Sequence, residues 1–205
     1  MRNEKRITLA SSSPRRKALL QEVGLSFDIY HSNIDEDIKK GESPTEHCLR
    51  LAEEKTKAAA KKVKNCWILG ADTIVFIDNS ILGKPSDIKE AKEMLSLLSG
   101  RYHKVVTAFC ILNASTGKKV KRVVESRVKI KNLTDKEIAD YIKTGEPLDK
   151  AGAYAVQGIG SFMIESIEGS YTNVVGLPME ELKETLEEMG IVNRAIKCRS
   201  VKVSE

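Results

Sequence analysis

Three features of the 205-residue chain predict an α/β fold built on a mixed sheet. Strand-like and helix-like patterns alternate through the first half. Two long β patterns, "HKVVTAFCILN" and "VKRVVESRVKI", then follow across the short polar segment "ASTGKK", which reads as a hairpin. There is no internal repeat and no low-complexity tract. A regular doubly wound sheet would not contain such a hairpin, so the sheet is mixed.

The elements follow in chain order. "ITLA" is a short buried strand. Pro14 suits a first helical turn with Ser13 as N-cap, and Ala18, Leu19, Leu20 and Val23 form the apolar side of a helix that Gly24 stops. "SFDIYHS" alternates as a strand does, and "NIDEDIKKGES" is a carboxylate-rich loop. From Pro44 to about Val63 apolar residues recur at intervals of three and four, a helical period. "CWILGADTIVFI" is a strong strand with a glycine in mid-run, and "DNSILGKPSD" a short strand between turns. Asp87 caps a helix to Leu98. After the hairpin, Thr134 and Glu137 have capping-box spacing for a helix to Thr144. The glycine-rich stretch to Tyr171 reads as loop with short strands. Thr172 and Asn173 are caps for a last helix from Pro178 to Met189, stopped by Gly190. We therefore expect one domain over residues 1–190 and a basic tail over 191–205.

Composition narrows the function classes. The chain is 41% hydrophobic and 31% charged, too apolar for disorder, and no apolar run approaches the roughly 18 residues of a membrane span. No signal-peptide h-region is visible, so a cytoplasmic location is expected. Cys48, Cys66, Cys110 and Cys198 lack metal-ligand spacing and read as reduced thiols. A net charge of +5 favours anionic partners, but it is spread along the chain without a basic helix or aromatic-interleaved patch. No specific nucleic-acid binding is expected.

Several residues could carry chemistry. In "SSSPRRKALL" a strand feeds a helix through serines, leaving backbone N–H groups and hydroxyls as an anion site. Arg15 and Arg16 oppose the helix dipole there, which a bound counter-anion would relieve. Taken alone, the stretch reads more simply as a capped helix with solvated arginines. Asp72, in "GADTIVF", is a carboxylate in an apolar strand, costly unless it is paired, metal-bound or facing a cleft. Gly70 and Ala71 beside it permit close approach of a ligand or another backbone. Lys84 stands in a Gly-Pro turn. Lys55 falls on the apolar face of its helix, where a cation snorkels out or serves a site. "DKAGAYAVQGIG" sets Gln157 among glycines, where an amide reads a base edge or is merely structural. His31, His47 and His103 are far apart in sequence, and a histidine-dependent triad ranks low.

Taken together and in order, "LASSSPRRKALL", "LAEEKTKAAA", "GADTIVF", "LGKPSD", "LSGRYHKVVTA", "LTDKEIADYI", "EPLDKAGAYAVQG" and "GSYTNVVGLP" resemble the Maf family of nucleotide pyrophosphatases. The resemblance implies an inosine triphosphate pyrophosphatase-like fold, a mixed, elongated, twisted sheet with flanking helices in two lobes around a cleft, often as a homodimer. It implies hydrolysis of a nucleoside triphosphate to monophosphate and pyrophosphate with Mg²⁺ or Mn²⁺. Asp72 becomes the proton acceptor, and Ser11, Arg15, Arg16, Glu36, Lys55 and Lys84 line the cleft. Glu36 and Asp72 are the implied metal ligands. Arg15, Thr73 and Gln157 match the branch acting on dTTP and UTP, with CTP or modified pyrimidine nucleotides as extensions. The alternatives are the purine-directed branch acting on 7-methylguanosine triphosphate, and a non-catalytic role in septum formation.

Overall fold

The computed structural model describes residues 6–78 and 80–192. Its elements are β1 (Ile7–Leu9), α1 (Pro14–Glu22), β2 (Phe27–Ile29), α2 (Pro44–Ala60), β3 (Trp67–Ile77), β4 (Ser80–Leu82), α3 (Ile88–Leu98), β5 (Tyr102–Asn113), β6 (Lys119–Ile130) and α4 (Asp135–Lys143). Three 3₁₀ turns follow at Glu146–Asp149, Ala151–Ala153 and Ile159–Met163. β7 (Ile164–Glu168), α5 (Tyr171–Val175) and α6 (Met179–Glu188) complete the chain.

Local chemistry sets the helix starts. Ser13, Ser43, Asp87 and Thr134 each accept a hydrogen bond from the backbone three residues on, and Ser43 and Thr134 form full capping boxes with Glu46 and Glu137. The predicted hairpin is β5–β6, paired antiparallel over its length. Other expectations needed correction. "SFDIYHS" contributes only the three residues of β2, because β1, its ladder partner, is itself three residues long. Ala18 is exposed, and Leu19 and Leu20 are the buried side of α1. Thr172 and Asn173 lie inside α5, whose own N-cap is Ser170, although the Thr172 hydroxyl also accepts from the Met179 N–H that opens α6. Most of the expected tail, residues 193–205 with Cys198, lies outside the described residues.

The sheet has seven strands in the order β2-β1-β3-β5-β6-β7, with β4 on β3. β1 is parallel to β2 and β3, and the remaining pairs are antiparallel, so the sheet is mixed as expected. One edge of β3 is shared. β1 pairs with Trp67–Leu69 and β4 with Val75–Ile77. Between them, Gly70–Ile74 is paired to β5 alone among these ladders. The sheet forks there, and each prong carries its own core. Leu9, Leu20, Leu69, Phe109, Leu177 and Leu182 pack with α1 and α6, while Val75, Leu95, Val128, Tyr141 and Met163 pack with α3 and α4. The helix α2 covers the sheet at the fork through Cys48 and Ala52. The two expected lobes are these two cores.

Candidate active site

The fork opens a cavity of about 890 Å³. The turn from Ser11 to Arg16 forms one wall, Asp72 and Thr73 the floor, and Lys84 with the segment from Asp149 to Val156 the opposite wall. Each wall belongs to a different prong of the sheet.

The floor depends on a close approach of α2 to β3. A Cβ placed on Gly70 would lie 2.6 Å from the Ala52 carbonyl oxygen and 2.8 Å from Thr56 Cγ2. The backbone neighbour expected at Gly70 is therefore α2. This approach brings Lys55 to Asp72. Lys55 Nζ donates to Asp72 Oδ1 at 2.6 Å and pairs with Glu36 Oε1 at 2.7 Å. Lys55 and Asp72 are both buried, and an unpaired charge at either place would be costly. Burial works against charge on Glu36, but the hydrogen bond and charge of Lys55, with Lys84 and Arg16, hold its carboxyl below the usual value. The apolar-face position of Lys55 thus brings its ammonium to two carboxylates at the cavity floor rather than out to water.

The two arginines separate. Arg16 is buried, contrary to the simpler reading of a solvated pair. Its Nε donates to the Gly176 carbonyl at 2.8 Å, Nη1 to Ser11 Oγ at 3.2 Å and Nη2 to Thr73 Oγ1 at 2.9 Å. Burial pushes the guanidinium down from its usual value, and Asp72 opposes that shift. Of five N–H donors, these three bonds leave two for an anion. Arg15 is half-buried at the cavity wall.

Thr73 lines the cavity floor, as Arg16 does its wall, and it has a further set of partners. Its hydroxyl lies 2.9 Å from Thr107 Oγ1 as well as accepting from Arg16, and Thr107 in turn donates to the Asn173 carbonyl. Asn173 is fully buried and donates to Val105 O and Ser126 Oγ. Thr73 therefore joins Arg16 to a buried polar frame, which sequence alone did not connect. Gln157 is exposed and does not line the cavity, although Ala155 and Val156 do. Sequence reasoning gave no role to Lys150 of the same stretch, a cavity-wall lysine hydrogen-bonded to the Glu146 carbonyl at 3.4 Å and paired with Asp149. Its only local signal was a place among glycines.

Whether these groups suit a divalent ion is a matter of donor chemistry. Among the described residues no three His, Cys, Asp or Glu side chains converge as a metal cluster. Asp72 and Glu36 do meet, with the Lys55 ammonium between them. Mg²⁺ takes one or two protein carboxylates and completes its shell with water and phosphate oxygens. The pair fits such an ion when a phosphate is present.

The fold and cavity define a class first: an α/β protein with a charged cleft between two lobes. Its fold is similar to a HAM1 protein from Coxiella burnetii (TM-score 0.54, 16% identity, 90% of this chain and 99% of that one). It is similar again to the Ham1 protein of Staphylococcus aureus (TM-score 0.52, 14% identity, 90% and 100%). A family model described as Maf-like protein matches residues 6–189, and the chain belongs to the Maf family. Relatives named dTTP/UTP pyrophosphatase include one from Syntrophotalea carbinolica, 51% identical over 91% of this chain and 86% of the relative. Another, from Clostridioides difficile, is 46% identical over 91% and 96%.

Proposed function

We propose that this chain hydrolyses dTTP and UTP to the nucleoside monophosphate and pyrophosphate. The observation that carries the reading is the Lys55–Asp72–Glu36 contact on the floor of a cavity whose walls bring Arg15, Arg16, Lys84 and Lys150. The names of the relatives support the choice of pyrimidine nucleotides.

The roles follow from the geometry. The Ser11–Arg16 turn binds phosphate oxygens through backbone N–H groups, hydroxyls and the remaining Arg16 donors. Lys84 and Arg15 neutralise charge that builds on the departing pyrophosphate. Asp72 takes the proton of a water that attacks the α-phosphorus, as the bond from that phosphorus to the α–β bridging oxygen breaks. Lys55 occupies Oδ1, and Oδ2 accepts no hydrogen bond among the described residues, so Oδ2 is the oxygen that faces the water. Mg²⁺ or Mn²⁺, held by Asp72, Glu36 and the phosphates, would supply Lewis-acid polarisation when bound. Arg15, Thr73 and Gln157 serve pyrimidine preference, Thr73 by fixing Arg16 and Gln157 from one residue beyond the lining.

A pyrophosphate-release screen over canonical and modified nucleotides, with and without Mg²⁺ and Mn²⁺, tests the reading. Turnover confined to pyrimidine triphosphates is expected, and release from purine nucleotides alone would overturn it. Light scattering reads the expected homodimer. No helix among the described residues is long and apolar enough to cross a membrane, and cell fractionation tests the cytoplasmic expectation.

A further inference from the structure

The cavity wall that carries Lys150 is built on an unfavourable turn. Gly152 and Ala153 both adopt left-handed backbone angles, with φ of 69° and 59°. Glycine accepts this freely, but alanine does not, and such a conformation persists only where its surroundings hold it. A side chain on Gly152 would also crowd Val75, whose Cγ1 would lie 3.0 Å from the added Cβ.

The next residue, Tyr154, is buried against the core, and its hydroxyl lies 2.7 Å from His103 Nε2. The two rings meet edge to face, 5.2 Å between centroids. His103 is 2% exposed, and its Nδ1 has no hydrogen-bond partner among the described residues. Burial pushes its pKa down to about 4, so the imidazole stays neutral at physiological pH. An imidazole buried with one nitrogen unpaired is a poor way to fill a core, where an apolar side chain avoids that cost. Among the described residues the ring's one polar contact is with Tyr154, the residue that follows the strained turn.

We propose that His103 is a positioning residue: through Tyr154 it holds the Gly152–Ala153 turn and so fixes Lys150 at the cavity wall to contact the nucleotide. The inference rests on the nucleotide-hydrolase reading. A backbone bond from Gly152 N to Gly83 O ties the same turn to the loop of Lys84. One anchor thus serves both lysines of this wall.

The test uses the full chain and five variants: Tyr154→Phe, His103→Leu, His103→Gln, Lys150→Met and the double variant of Tyr154→Phe with Lys150→Met. Tyr154→Phe removes one oxygen and keeps the ring, so it remains informative if His103→Leu fails to fold. We expect it to raise KM for dTTP about tenfold, the size of one hydrogen bond to a charged group, with kcat changed less. Lys150→Met should give a similar rise, and the double variant no more than the single ones, because both act on one contact. His103→Gln, whose amide reaches the hydroxyl, should restore most of the wild-type KM. Amide exchange across residues 150–156 should accelerate in Tyr154→Phe. That measurement needs no substrate, so it judges the anchor even if the wild type proves inactive on nucleotides. Unchanged exchange in Tyr154→Phe, or additive KM effects of Tyr154→Phe and Lys150→Met, would overturn the proposal.

Discussion

Glu53 and Lys55 stand two residues apart on α2 and build opposite clusters. Glu53 gathers three exposed cations, Lys57, Lys119 and Lys121, at 2.9, 2.6 and 2.9 Å. Lys55 turns inward and gathers two anions, Asp72 and Glu36, at 2.6 and 2.7 Å. The bond lengths are alike, but the surroundings are not. Glu53 is itself only 14% exposed at its side chain, but its lysines are 39–57% exposed, while Lys55 and Asp72 are both shielded, at 9% and 11%. Water screens the outer cluster and makes it worth little. In the inner cluster Lys55 and Asp72 are held from water, so each depends on the other, while Glu36 reaches them from a half-exposed position. Ion-pair geometry therefore does not separate a surface network from a candidate site. Burial beside a cavity does.

Substitutions should separate the two clusters. The largest effect is expected from Asp72→Asn, which keeps the shape and removes the proton acceptor. Turnover should fall by about 10³-fold, within the range of general-base catalysis, while far-UV circular dichroism is unchanged. Retained activity would remove Asp72 from that role. Lys55→Met should come next. It leaves a buried carboxylate without its cation, at a cost of about 3 kcal/mol, read as a shift in the urea midpoint together with lost activity.

Gly70→Ala probes the approach that makes the inner cluster. The added methyl has to push α2 away from β3, a strain of about 2 kcal/mol. Turnover should drop more than the lysine contacts of Glu53 are disturbed, because those lie on the solvent side. Equal tolerance of alanine and glycine there would show that Lys55 and Asp72 do not need the close approach.

The smallest effect belongs to Glu53→Gln, at about 0.5 kcal/mol and less in high salt. Its hydrogen bonds to Lys119, Lys57 and Lys121 hold the Glu53 carboxyl well below its usual 4.5. A carboxyl with a lowered folded pKa stabilises above its unfolded value and loses that contribution as pH falls through the folded one. The difference in melting temperature between wild type and Glu53→Gln should therefore be full at pH 6 and shrink as pH falls below 4.5. Activity should not change. A large loss of turnover in this variant would erase the contrast between the clusters.

Much of the fold was legible because the signals are local. A cap and its partner are three residues apart, a hairpin needs one turn, and a strand shows its period within a few residues. Ser13, Asp87 and Thr134 were readable for that reason. The candidate site was legible in its composition, since a carboxylate in an apolar strand and a lysine on an apolar helix face are each anomalous alone. Their pairing was not legible, and neither was the burial of Arg16. That guanidinium is held by the carbonyl of Gly176, 160 positions along the chain. The role of His103 was hidden likewise, because Tyr154 lies 51 residues away.

The sequence by itself determined most of the element types and helix starts, the mixed sheet and a list of candidate residues for an anion site. Only the tertiary structure decided which charges meet, which are shielded from water and which face the cavity. Propensity and capping act between residues a few positions apart, whereas the energy of a charge depends on the dielectric and partners that distant segments bring to it.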